Sequence, residues 1–219
     1  MGGTGLRTEE VTIAVDGDQI IGDLGLPEGA FGIVTFAHGS GSSRHSGRNR
    51  QVAAALQRVG LATLLLDLLT EQEEQIDLRT RELRFDIGLL AERVATAVDW
   101  SHQDERTAGL PVGLFGASTG AAAALVAAAR RPEKVAAVVS RGGRPDLADA
   151  ALPDVQAPTL LIVGGADRPV IGMNESAMQR MSADVRLEIV PGATHLFEEP
   201  GALEQVADLA ADHFGRTLR

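Results

Sequence analysis

The sequence contains no cysteine and no tyrosine, and only one tryptophan. Without cysteine there is no disulfide, no thiol nucleophile and no Cys-ligated zinc or iron–sulfur centre. Long hydrophobic runs are also missing. The longest strictly apolar stretch is the nine residues Ala121 to Ala129, far below the roughly 20 needed to span a bilayer. Positive charge is in short supply, with 20 Lys and Arg against 30 Asp and Glu and a net charge of −10. That balance speaks against a nucleic-acid partner. Met1 to Arg7 has no apolar core and so does not read as a secretory signal. Leu6 stands where N-myristoylation needs Ser or Thr. The expectation is a soluble, cytoplasmic protein with neither a membrane nor a nucleic acid as partner.

What is present is ordinary globular material, 44 % hydrophobic and 23 % charged. A chain of 219 residues suits one domain over 1–219, burying roughly 70 % of its unfolded surface without staples. All but one of the basic residues are arginine and 33 residues are alanine; this reads as compositional bias rather than chemistry.

Val11 to Val15 alternates apolar and polar residues, Asp16-Gly17 is a turn signal, and Gln19 to Leu26 runs to Pro27, which predicts an antiparallel hairpin. Apolar runs follow at Ile33 to Ala37, Leu61 to Leu66, Leu110 to Phe115, Val135 to Val139, Leu160 to Val163 and Val185 to Val190. Short, Val/Ile/Leu-rich runs bounded by Gly, Asp or Pro read as strands buried on both faces of a parallel sheet. Between several of them the apolar period is helical: Val52, Leu56 and Val59; Ile87 to Val98; the Ala-rich stretch from Ala121; and Leu203 to Phe214. Such alternation predicts a doubly wound α/β fold, whose ligand site lies at the carboxyl ends of the strands.

The run Leu110 to Phe115 leads into Gly116-Ala117-Ser118-Thr119-Gly120 and then the Ala-rich helix. This is G-x-S-x-G between strand and helix, where a sharp turn lifts the serine hydroxyl above the sheet and glycines leave room for the close approach. The bare pattern arises by chance about 0.1 times in this composition, so its context carries the signal. The competing reading is a glycine-rich turn with Ser118 as helix cap. A serine needs a base. His195 follows the run Val185 to Val190, and Asp167 follows Leu160 to Val163, giving the chain order Ser, Asp, His of hydrolases of this topology. Asp146 is the reserve acid. His102 and His213 read as surface residues. Two backbone N–H groups should meet the developing oxyanion, those of Thr119 and Ser40, the latter in the loop His38 to Arg44. His38 then reads as structural.

The same loop supports a rival. Gly39 to Arg44 is G-x-G-x-x-R after a strand, and Asp67 stands 28 residues past Gly39, where a dinucleotide site carries its ribose-binding acid. Against it, Arg44 replaces the third glycine and the helical pattern starts only near Asn49.

Taken together these residues resemble the α/β-hydrolase superfamily, and within it the dienelactone-hydrolase-like group. Ala37 to Asn49, Leu64 to Thr70, Leu83 to Ile87 and Ser140 to Ala148 carry the closer likeness. The resemblance implies a mostly parallel sheet of about eight strands and a cofactor-free, metal-free esterase mechanism on a small ester, lactone or thioester. Dienelactone hydrolases proper use a Cys nucleophile; Ser118 fills that place here. About 20 residues separate Val139 from the next strand, which leaves no room for a cap domain. Arg44, Arg141, Arg144 and Arg168 follow strand ends, and the first three are candidates for binding an anionic substrate group; Glu71, Glu73 and Glu74 could equally neutralise them. A catalytically silent hydrolase-fold binding protein is the alternative from outside enzymology. Oligomeric state is not written in the sequence; a homodimer is compatible with it.

Overall fold

The computed structural model describes residues 5–219. Eight strands form one sheet: β1 (Leu6–Val15), β2 (Asp18–Pro27), β3 (Ile33–Ala37), β4 (Ala62–Leu66), β5 (Val112–Ala117), β6 (Val135–Arg141), β7 (Thr159–Gly164) and β8 (Val185–Val190). Their spatial order is β1-β2-β4-β3-β5-β6-β7-β8. The first two pair as an antiparallel hairpin, β2 is antiparallel to β4, and β3 through β8 are parallel. The hairpin turn is Asp16-Gly17, both with positive φ (44° and 83°), the backbone twist that Asp-Gly supplies readily.

Helices cover both faces. On one side lie α1 (Gly47–Arg58) and α6 (Ala202–Thr217), whose Val52, Leu56, Val206, Ala210 and Phe214 close over Val34, Phe36, Phe115 and Val139. On the other lie α3 (Ile87–Gln103) and α4 (Thr119–Arg130), packed on Ile33, Leu64 and Leu114. In α4, Ala121 to Leu125, Ala127 and Ala128 are buried. Small side chains let this helix approach both the sheet and α3.

Two helices were not legible in the apolar period: α2 (Glu71–Thr80) and α5 (Arg168–Met178). Asp77 is the buried residue of α2, so no apolar stripe marks it. Its signal is the capping box Thr70/Glu73, with both reciprocal bonds present. Pro169 in the first turn marks α5. The fifth strand starts at Val112 rather than Leu110, because Pro111 has no N–H for the ladder. The eighth strand is not buried on both faces: at the sheet edge, only Val190 is fully buried. His213 is buried as well (5 % exposed) and bonds through Nε2 to the Pro158 carbonyl at 3.2 Å, against the surface position expected of it. Between β6 and β7 the chain forms only 3₁₀ turns over Pro145–Asp154, so no cap domain covers the sheet edge.

Register places the site. Ala37 pairs with Gly116, Ala117 with Arg141, and Gly164 with Val190. The loops after five parallel strands therefore emerge side by side.

Candidate active site

Ser118 sits at the turn between β5 and α4 with φ 52° and ψ −119°, a strained conformation for a residue with a side chain. Neighbours hold it there. Its N–H donates to the Arg141 carbonyl (3.2 Å), and its own carbonyl accepts from Ala121 and Arg144 (both 3.1 Å). The flanking glycines are steric requirements. A Cβ on Gly116 would lie 2.4 Å from Cα of Ala121, and one on Gly120 would lie 2.3 Å from the Ala37 carbonyl oxygen. Neither backbone can yield, so strand, turn and helix interlock only with glycine at both positions. The hydroxyl of Ser118 makes no cap bond to its own helix, which removes the helix-cap reading.

His195 lies in the loop after β8. Its Nδ1 is 2.7 Å from Oδ2 of Asp167. Asp167 opens α5 without capping it, so its carboxylate is free to face the imidazole. The two loops are tied together: Gly165 N–H donates to the Val190 carbonyl at 2.8 Å and Ala166 N–H to that of Ala193 at 2.9 Å, while Asp167 N–H closes a turn onto the Gly164 carbonyl at 2.9 Å. Asp167 makes no ion pair with Arg168, and Asp146 is bound to Arg144 (2.8 and 2.7 Å) rather than to any histidine.

Ser118 and His195 line one cleft of about 230 Å³, together with Gly39, Ser40, Ser42, Ser46, Arg48, Asn49, Ala117, Arg141 and Leu196. No hydrogen bond joins the Ser118 hydroxyl to the imidazole in this state. The loop after β3 passes directly over the serine: a Cβ on Gly39 would sit 3.2 Å from Cβ of Ser118. The N–H groups of Ser40 and Thr119 have no acceptor among the described residues. His38 is held by two bonds, Nδ1 donating to the Gly39 carbonyl (2.9 Å) and Nε2 accepting from Leu68 N–H (3.2 Å). Burial pushes its pKa down, against the opposing pull of the Gly39 bond and of Asp67 and Glu74. It is a neutral clamp between the loops after β3 and β4.

The expected arginines separate sharply. Arg44 is ringed by carboxylates: Asp67, Asp23 (3.3 Å) and Glu10 (3.0 Å). It staples the β3 loop to β1, β2 and the end of β4, and so is not placed as an anion receptor. Arg144 is paired with Asp146. Arg141 remains, buried and unpaired in the cleft. Arg48, which sequence reasoning passed over, lines the same cleft. It lies at the start of a helix rather than after a strand, and nothing in its local sequence points inward. The dinucleotide reading fails here. Asp67 is occupied by the Arg44 N–H (2.8 Å) and guanidinium, and α1 begins at Gly47 behind a Ser46 cap, well past the glycines.

The sheet order, the strained turn at Ser118 and the uncapped sheet edge define an α/β-hydrolase fold. Residues 24–219 match the model of the dienelactone hydrolase family, and the chain belongs to that family. It is 62 % identical to a dienelactone hydrolase from Anabaena variabilis, whose crystal structure superposes with a TM-score of 0.96 over 98 % of this chain and 99 % of that one. Two Mycobacterium tuberculosis strains each contain a protein named "Putative phosphoribosyl transferase" that is 57 % identical over 209 residues, 95 % of this chain. The chain spans 46 % of the length of those relatives. Est1E from Butyrivibrio proteoclasticus shares the fold (TM-score 0.80) at 15 % identity. No helix among the described residues is long and apolar enough to cross a membrane.

Proposed function

We propose that the protein is a serine hydrolase of small carboxylic esters, lactones or thioesters. Ser118 attacks the acyl carbonyl while His195 takes its proton. Asp167 orients the imidazole and stabilises the imidazolium. The tetrahedral oxyanion is met by the N–H groups of Ser40 and Thr119. Collapse expels the alcohol, which takes its proton from His195. Water, activated by the same imidazole, then releases the acid from the acyl-enzyme. The observation that carries this reading is one cleft in which a serine on a strained strand–helix turn faces a histidine already paired at 2.7 Å with a carboxylate.

The eight strands form one sheet, which supports reading the chain as a single hydrolase domain. The absence of a cap leaves the cleft open to small or exposed esters. The name of the M. tuberculosis relatives belongs to proteins about twice as long, and the reading here rests on this chain's own cleft.

The test is intact-mass measurement after treatment with a fluorophosphonate, on the wild type and on Ser118→Ala. A single adduct on the wild type alone is expected. No adduct on folded wild-type protein overturns the reading in favour of a silent, ligand-binding hydrolase fold.

A further inference from the structure

Asn174 stands at the centre of the buried face of α5, between Val170 and Ala177, and none of its surface is exposed. The inward stripe of such a helix is ordinarily apolar, so a carboxamide in the middle of it calls for a cause. Its Nδ2 donates to two carbonyls: that of Val170, one turn back in α5, at 2.8 Å, and that of Gly143, in the loop after β6, at 3.1 Å. Its Oδ1 is buried without a donor, which offsets much of what the two bonds contribute to stability. The Val170 bond stays inside the helix. The Gly143 bond joins two elements.

Both ends of that second bond lead to the site. Gly143 is packed tight against the nucleophile's helix: a Cβ there would collide with Oγ of Ser140 and lie 2.7 Å from Cβ of Ala121. Its neighbours bind on either side, Arg144 N–H to the Ser118 carbonyl at 3.1 Å and Gly142 N–H to the Ile162 carbonyl of β7 at 2.8 Å. At the other end, Asp167 opens α5 seven residues before Asn174. Seven residues are close to two turns, so the two lie on the same side of the helix, about 10 Å apart along its axis. A slip of the helix at Asn174 is therefore passed on to Asp167, and to its 2.7 Å contact with His195. Val170 and Ala177 are apolar and tolerate sliding. A directional hydrogen bond inside a buried face fixes one register.

We propose that Asn174 is a positioning residue for the hydrolysis. By tying α5 to the loop that holds the Ser118 turn, it sets where the Asp167 carboxylate, and through it the His195 imidazole, stands relative to Ser118. It touches no reacting atom. The inference rests on the reading of Ser118, Asp167 and His195 as nucleophile, acid and base.

The experiment is a double-mutant cycle on p-nitrophenyl acetate, with wild type, Asn174→Leu, Asp167→Asn and the double variant. Asn174→Leu should lower kcat about 10- to 100-fold, the cost of a small misplacement set far from the chemistry, with KM within about threefold. In the Asp167→Asn background the same change should cost less than about threefold, because the residue acts through that carboxylate. An unchanged kcat overturns the proposal. So does an equal loss in both backgrounds, which marks a residue that only supports the fold. If Asn174→Leu does not fold, Asn174→Ser takes its place. A serine there still donates to the carbonyl four residues back but is too short to span to Gly143, and the same two outcomes decide.

A second readout needs no turnover. The Nδ1 proton of His195, shared with Asp167, should give a far-downfield proton resonance that Asp167→Asn removes. Asn174→Leu should move it upfield or broaden it, and a resonance identical to wild type overturns the proposal. Fluorophosphonate labelling separates the two readings. A labelled wild type with kcat untouched by Asn174→Leu removes the role of Asn174 alone. An unlabelled wild type removes the hydrolase reading, and the resonance then decides by itself whether Asn174 places the Asp167–His195 pair.

Discussion

Arg44 and Arg141 both lie at the carboxyl edge of the sheet, both largely shielded from water, the Arg44 side chain 14 % exposed and Arg141 as a whole residue 7 %. Their surroundings are opposite. Arg44 meets Asp67, Asp23 and Glu10, and despite burial these carboxylates, Asp67 foremost, hold its pKa above the usual value. Arg141 meets no carboxylate, and its pKa falls. One is a staple whose charge the fold has already satisfied. The other is a charge left unsatisfied next to the strained serine. Burial alone therefore does not say whether the fold has satisfied an arginine's charge. Arg93 gives the same lesson from the structural side: it is 4 % exposed but lies between Asp16 (2.9 Å) and Glu73 (2.8 Å).

The strongest way to test this contrast is the same substitution at two carboxylates. Asp167→Asn should lower kcat by about 10³- to 10⁴-fold, because the amide favours the wrong imidazole tautomer, with little change in unfolding midpoint. Asp67→Asn should do the reverse. It weakens the bonds to the Arg44 backbone and guanidinium, costs about 1–3 kcal/mol given its partial exposure, and leaves kcat within about tenfold of wild type. Equal kinetic losses in steady-state assays of the two variants would collapse the distinction.

The arginines themselves give the next largest effect. Arg44→Met removes the cation shared by Asp67, Asp23 and Glu10, of which Asp23 keeps Arg50 at 2.9 Å, and should lower the midpoint by several degrees, at about 2–4 °C per kcal/mol in a chain of this size. Arg141→Met removes an unpaired buried charge and should leave the midpoint unchanged or raise it. Thermal unfolding in chloride buffer checks both, and a drop for Arg141→Met as large as that for Arg44→Met would mean that Arg141 is structural.

The smallest effect is a pH dependence. His38 and His213 are neutral in the fold, with pKa values pushed down chiefly by burial. In the unfolded chain they take up a proton near pH 6.5. Their contribution to stability is therefore present above about pH 6.5 and lost as pH falls from there toward the lowered folded values. Denaturant midpoints should fall between about pH 7 and 5, and His38→Gln should flatten part of that slope. Asp77 acts in a lower window. Burial opposes its charge, but the Arg84 bonds outweigh it and hold the carboxyl below the usual range, so its contribution is lost only as pH falls below about 4.

Much of this was readable in the residues. The parallel strands β3 to β7 announced themselves because both faces of each are buried, and the Gly116 to Gly120 turn because its glycines are steric necessities. The pairing of Asp167 with His195 agrees with their places after successive strands. The helix α2 escaped because it buries a salt-bridged aspartate rather than an apolar stripe, and His213 because one polar residue on an amphipathic helix looks the same whether it faces water or the Pro158 carbonyl.

The sequence by itself determined the alternation of strands and helices, the Asp-Gly hairpin turn and the serine turn, since each depends on neighbours within a few positions. Only the tertiary structure decided which arginines are satisfied. Arg44 finds partners 21, 23 and 34 positions away, whereas Arg141 borders a cleft whose lining residues include no carboxylate. Charge compensation depends on distance in space, and no local pattern along the chain encodes it.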